Sequence, residues 1–241
     1  MLSKNELKYI QSLCHKKQRT AERLFIVEGV KLVQELISAG YPIRNIYATD
    51  QWAIPAGNYD VTRISEQELE KISTLQTPNQ VLAIAQQQEP SDEPQWNHKL
   101  TLVLDGIQDP GNMGTIIRIA DWFGIDQIIA SQDTVELYNP KVIQSTMGSF
   151  MRVKVWYRDL APLLGQIAVP VYGAFLDGKS MYEVPPPDTG VLVIGNESKG
   201  IRDTLQSLIN HRITIPRIGQ AESLNAAVAL GILLSQFRRP H

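Results

Sequence analysis

Four groups of residues in this 241-residue chain have types and spacings suited to chemistry. In the first, Asp109-Pro110-Gly111 makes a turn, Asn112 is placed to cap a helix, and Arg118 follows on that helix. Met113, Ile116, Ile117 and Ala120 form its apolar stripe, with Thr115, Arg118 and Trp122 on a second stripe. A guanidinium between Ile117 and Ile119 calls for an anionic partner, either a ligand or one of the chain's own acids, Asp105 or Asp121. In the second group, Gly195-Asn196-Glu197-Ser198-Lys199-Gly200 follows an apolar strand at 191–194. Ligands of parallel sheets bind beyond the carboxyl ends of strands. Gly195 would let a ligand approach the backbone, and Glu197 offers an acceptor or a charge. In the third, Ser223-Leu224-Asn225 opens a helix whose Ala226, Ala227, Ala229 and Gly231 admit very close packing, by a neighbouring helix or a partner subunit. In the fourth, Gly173 to Ser180 satisfies the phosphate-cradling pattern G-x-x-x-x-G-K-[ST]. That pattern also needs a helix starting at Lys179-Ser180, and Pro185-Pro186-Pro187 leave it about one turn.

The elements that must position these groups fall into two domains, with boundaries expected at 1–86 and 100–241. Residues 5–14 have helical apolar spacing at Leu7, Ile10 and Leu13, followed by a basic turn, His15-Lys16-Lys17. A short strand at 24–27, a helix at 28–39, strands at 43–48 and 59–64, a capping box at Ser65 and a strand at 81–85 make a small alternating α/β domain. Residues 87–99 lose periodicity and gain proline, glutamine and acid, as a linker does. From residue 100 the strands become near-continuous apolar runs at 101–105, 127–130, 169–175, 191–194 and 213–215. Strands buried on both faces read this way, so a parallel sheet covered by helices is expected.

Composition narrows the class. Hydrophobic residues make up 43% and charged residues 20%. No apolar run approaches the ~18 residues of a membrane span, and the polar N-terminus does not read as a signal peptide. The single cysteine, Cys14, excludes an internal disulfide and fits a reducing, cytoplasmic setting. Cys14 and His15 have no second ligand at metal spacing, so no metal is expected. The net charge of −2 does not advertise nucleic-acid binding, but its distribution is uneven. Lys4, Lys8, Lys16, Lys17, Arg19, Arg23 and Lys31 face only Glu6, Glu22 and Glu28 in the first 31 residues. Such a stretch is either an ordinary solvated helix or a phosphate-neutralising face.

The D-P-x-N-x-G-x-x-x-R helix, the G-x-E-x-x-G loop and the I-P-x-x-x-x-x-E-S-L-N helix, in that order, resemble the three signature motifs of the SpoU (TrmH-like) family of SPOUT RNA 2′-O-ribose methyltransferases. Residues 141–155 look like that family's intervening helix and strand. R-x-x-x-x-x-F-I-V-E-G over residues 19–29, and TPNQVLAIA, are similar to the RNA substrate-binding domain that often precedes the catalytic one. Asn-Ala-Ala-Val stands here where many members have Asn-Val-Ser-Val.

The resemblance implies a C-terminal parallel sheet with a deep trefoil knot and S-adenosylmethionine as cofactor. It also implies a homodimer formed through the catalytic domain. By the same resemblance Arg118 activates or orients the ribose 2′-hydroxyl, and Asn112, Glu197, Ser223 and Asn225 complete the catalytic site. Gly195, Gly200, Ile215 and Leu224 hold the cofactor, with Ala174 lining its pocket. Lys16, Lys17, Arg19 and Arg23 are the expected RNA contacts. Ribosomal RNA of the large subunit is the expected substrate, with transfer RNA as the alternative. The competing readings are a P-loop nucleotide-binding protein and a non-catalytic RNA-binding module. A Rossmann-type methyltransferase does not fit, because no early strand is followed by G-x-G-x-x-G.

Overall fold

In the computed structural model, which describes residues 1–55 and 57–239, the chain begins with a capping box. Ser3 accepts from the Glu6 amide, Glu6 accepts from the Ser3 amide, and α1 (Lys4–Ser12) follows. The basic residues predicted as a turn instead open a second helix, α2 (Lys16–Glu22), and the turn lies just before it. Arg23 ends that helix in the left-handed region, with φ 55°. Then come β1 (Leu24–Glu28), α3 (Val30–Ser38), β2 (Ile43–Ala48), β3 (Val61–Arg63), α4 (Glu66–Ile72) and β4 (Val81–Gln86). The predicted helix start at Glu28 is two residues early. Glu28 stays in the strand, buried, and accepts from the Ser73 hydroxyl and from the Thr74 amide at 3.0 Å. Gly29, at φ 93°, makes the turn that follows.

These strands form a sheet of order β1-β4-β2-β3, antiparallel except for β2 with β3. Ile10 and Leu13 lie over it in one apolar cluster with Ile26, Leu69, Leu82 and Ile84.

The second sheet is built from β5 (Leu100–Asp105), followed by α5 (Pro110–Trp122), and β6 (Gln127–Ser131). After α6 (Pro140–Thr146) come β7 (Lys154–Arg158), α7 (Leu160–Gln166), β8 (Val171–Ser180), β9 (Gly190–Gly195), α8 (Asp203–Gln206), β10 (His211–Thr214) and α9 (Ala226–Phe237). All six strands are parallel, in the order β10-β8-β9-β5-β6-β7. Every residue of β5 and β6 is buried, which is why their sequences run apolar without alternation. Between β8 and β10 the register jumps from Gly173 to Lys179 across one step of β10, so residues 174–178 leave the ladder.

Two compact units result, residues 1–88 with 138–151, and residues 89–137 with 152–239. The segment 138–151, expected inside the second domain, packs with the first unit. Tyr138 and Phe150 set their rings 4.6 and 5.7 Å from that of Phe25. Much of the expected linker is bonded to the second unit, where the Trp156 indole donates to the Asp92 carbonyl at 2.9 Å and Lys154 pairs with the Asp92 carboxylate. The last two residues of the expected catalytic domain, 240–241, lie outside the described residues. Among the described residues no helix is long and apolar enough to cross a membrane.

Candidate active site

The spacing predicts Asn112 as the cap of α5, but Asp109 takes that place. Its carboxylate accepts from the Asn112 amide at 2.8 Å, and Pro110, whose missing donor is harmless at a helix start, holds the first position. The Asn112 side chain is thereby left to do something else. Its Nδ2 donates to Glu197 Oε1, and its Oδ1 accepts from Asn225 Nδ2 at 2.8 Å. Asn225 in turn caps α9, accepting from the amides of Ala227 and Val228 at 3.0 and 3.3 Å. One run of side-chain bonds, Glu197–Asn112–Asn225, therefore ties together three segments up to 113 residues apart.

Glu197 sits on a loop that closes on itself. Asn196 and Gly200 exchange both backbone bonds, at 3.1 and 2.8 Å. The Asn196 side chain accepts from the amides of Ser198 and Lys199, and its Nδ2 donates to the Gly106 carbonyl at 2.8 Å. Gly200 makes the reversal at φ 67°. Gly195 is required here for a reason other than ligand approach. A Cβ on it would stand 2.3 Å from the Gly200 carbonyl carbon and 2.4 Å from the Ile201 nitrogen. It is the chain's own backbone that comes close to Gly195.

Arg118 lies on the exposed side of α5 with Thr115 and Trp122, the last 83% exposed. The structural ion pair weighed for it is absent. Asp121 binds Arg152 at 2.8 Å and Asp105 binds Arg202 at 2.7 Å, while Arg118 makes no hydrogen bond or ion pair among the described residues. The helix is not otherwise buried on that side, so its charge is solvated rather than compensated.

The residues expected around a cofactor follow three neighbouring strands, β10, β8 and β9. Gly195 ends β9, Ala174 follows Gly173 where β8 leaves the ladder, and Ile215 follows the end of β10. Gly195, Ala174 and Ile215 are half-buried. Gly200 is exposed, with open space where a Cβ would stand, and its amide and carbonyl are both bonded to Asn196. Residues 216–225, including Ser223 and Leu224, are exposed throughout. Strand ends that carry small, half-buried or exposed residues suit a ligand recognised by main-chain bonds, as the cofactor assignment requires. Arg212, which sequence spacing did not single out, braces residues 174–178 of β8 by lying 3.6 Å over the Phe175 ring and pairing with Asp177 at 2.9 Å. Among the described residues no group of three His, Cys, Asp or Glu could hold a metal.

One competing reading fails, as Pro185-Pro186-Pro187 imply, and one expectation needs correction. Lys179 and Ser180 end a strand and are followed by a three-residue 3-10 turn, Met181–Glu183. No α-helix starts there to face a phosphate, so the P-loop reading fails. Lys16, Lys17 and Arg23 are exposed, but Arg19 is only 2% exposed and its Nη1 donates to the Leu13 carbonyl at 2.8 Å. Its guanidinium braces the α1–α2 turn and does not face a phosphate. A cleft of about 420 Å³ in the first unit is lined by Glu22, Arg23, Leu24, Arg44, Gln86 and Gln87, of which Arg23 is an expected RNA contact.

Residues 99–235 match the SpoU rRNA Methylase family, and residues 4–83 match the MRM3-like substrate binding domain. The chain is 32% identical over 230 residues to 23S rRNA (guanosine(2553)-2'-O)-methyltransferase RlmP of Bacillus subtilis, a match covering 92% of each chain. Its fold is similar to that of a TrmH-family protein from Porphyromonas gingivalis, with a TM-score of 0.88 and 39% identity over 99% of each chain. It is also similar to an AdoMet-bound rRNA methyltransferase from Sinorhizobium meliloti, with a TM-score of 0.86 and 29% identity, covering 99% of this chain and 97% of that one.

Proposed function

We propose that this chain, which belongs to the SpoU rRNA methylase family, is an S-adenosylmethionine-dependent RNA 2′-O-methyltransferase whose substrate is large-subunit ribosomal RNA. The observation that carries the reading is the bonded run Glu197–Asn112–Asn225, which gathers the three motif segments that follow β5, β9 and β10 of the parallel sheet.

S-adenosylmethionine supplies a methyl group on a sulfonium, already a good leaving group. What the protein must add is alignment and a more nucleophilic ribose oxygen. The main chain at Gly195, Gly200, Ile215 and Leu224 holds the cofactor, with Ala174 beside it. Arginine is always charged, so Arg118 does not accept the proton. It binds the phosphate next to the target ribose and stabilises the developing alkoxide, and the proton leaves through phosphate or water. Asn112 and Asn225 fix Glu197, which with Ser223 orients ribose and cofactor. Lys16, Lys17 and Arg23 supply phosphate contacts on the substrate-binding domain.

The catalytic unit works as a homodimer. Trp122, Leu224 and Val228 of this unit are 83%, 45% and 51% exposed, apolar surface that a second copy would cover. A ribosomal RNA substrate and a free thiol at Cys14 favour a cytoplasmic location.

The test is transfer of labelled methyl from S-adenosylmethionine to unmodified total RNA, followed by fractionation and alkaline digestion. Label in an alkali-resistant dinucleotide from large-subunit RNA is expected. Label in base-methylated mononucleotides would sink the ribose assignment, and label confined to transfer RNA would replace the substrate.

A further inference from the structure

Below the Gly195–Gly200 loop lies a charged cluster that no motif contains. Asp105, at the end of β5, is 1% exposed in its side chain, yet it is an acid in an apolar sheet. Arg202, just past the loop, meets it twice. The Arg202 amide donates to Oδ2 at 2.8 Å and Nε lies 2.7 Å from Oδ1. The same guanidinium reaches sideways, Nη2 lying 2.5 Å from Asp133 Oδ1 and 3.3 Å from the Ser131 hydroxyl. Ser131 ends β6, donates to Asp133, and accepts from the Gly106 amide at 2.9 Å. Gly106 is also the residue whose carbonyl holds Asn196.

One side chain thus pins the exit of the loop to the ends of two strands, while Asn196 pins its entry to the turn after β5. Between the pins the loop is held by the Asn196–Gly200 backbone bonds and by the Asn196 side chain, and Glu197 projects from it to Asn112. A buried carboxylate is expensive without a partner, so the cluster serves something other than simple packing.

We propose that Arg202 is a positioning residue for S-adenosylmethionine binding, holding the Gly195–Gly200 loop in register with Asp105 and Asp133. The proposal rests on the cofactor reading given above. The carboxyl of Asp133 is held below the usual carboxylate range, first by the Ser131 hydroxyl and then by Arg202. A lowered pKa means its contribution is complete above the ordinary aspartate range and is lost only as pH falls through the lowered value. Asp133 and Arg202 are therefore both charged at neutral pH.

The experiment measures cofactor affinity by calorimetry, thermal unfolding, and kcat and KM for S-adenosylmethionine in the wild type, Arg202→Ala, Arg202→Lys and Asp133→Asn. Arg202→Ala should raise Kd and KM for the cofactor roughly tenfold or more, as loosening a positioned loop does, and lower kcat less. Arg202→Lys keeps the charge on Asp105 but cannot span both acids, and should recover part of the loss. Asp133→Asn tests the lateral grip at an exposed site, with a smaller rise in Kd, and stands in if Arg202→Ala does not fold. Unfolding at a lower temperature with unchanged cofactor Kd, measured well below the transition, would overturn the proposal and leave Arg202 a structural residue. If the wild type itself binds no S-adenosylmethionine, the cofactor reading fails instead, and the two failures are told apart.

Discussion

Asn112 makes two bonds that use its two different ends, donating to a carboxylate and accepting from an amide. Aspartate has the same shape but only acceptors. Asn112→Asp would set a second carboxylate against Glu197, so methyl transfer should fall sharply while the fold survives. Like charges at this distance push one carboxyl pKa up, so the variant should regain activity relative to wild type as pH is lowered. A flat ratio of the two pH–rate profiles would argue against a charged Glu197 there. Arg118 gives the opposite kind of variant. It is exposed and unpaired among the described residues, so Arg118→Ala should change stability by less than about 0.5 kcal/mol. It should nevertheless abolish transfer to RNA, with cofactor Kd largely unchanged. Equal loss of cofactor binding would move Arg118 into the cofactor site.

At the scale of elements, α5 and α9 explain the run of small residues near the C-terminus. A Cβ on Gly231 would stand 3.7 Å from Ile119 Cδ1, an ordinary contact, so the neighbouring helix is one occupant of that space. Gly231→Ala should therefore be tolerated, and stabilise by up to about 1 kcal/mol through helix propensity. Gly231→Leu should overpack against α5 and cost about 1–3 kcal/mol in chemical denaturation. If alanine were as damaging as leucine, the packing would be tighter than the protomer has it. The same elements mark what was legible beforehand. Apolar runs announce the parallel sheet because burial on both faces leaves no room for alternation, and the apolar stripe of α5 lies where the spacing puts it. Local pattern was read as placing the α5 cap at Asn112, although Asp109 followed by Pro110 is itself a helix-start signature, and the bond from Asn112 to Glu197, 85 residues away, was out of its reach. It also missed Arg202 and Arg212, whose acids lie in other strands and loops, and it read a surface role into Arg19, whose burial depends on the α1–α2 turn. The packing of 138–151 with the first unit was out of reach for the same reason, since aromatic contacts to Phe25 leave no trace in nearby spacing.

At the scale of the whole molecule, the arrangement leaves Arg118 and the motif loop 216–225 open to solvent in a single protomer. An exposed guanidinium in high dielectric binds phosphate weakly, and an open site lets water compete with ribose. A second copy over this surface would exclude water and set its own Arg118 beside its partner's Glu197 and Asn225. If each site takes Arg118 from one subunit and the Asn225 loop from the other, two inactive variants should rescue one another. Arg118→Ala and Asn225→Ala homodimers would each be dead. Unfolded together and refolded in equal amounts, half of the dimers would be mixed, each with one intact site and one doubly damaged. Recovery of about a quarter of wild-type methyl transfer is then expected from the isologous geometry. Sites built within one subunit would give no recovery, because every site in every dimer would carry one lesion. A monomer in sedimentation at working concentration, fully active, would remove the shared site altogether.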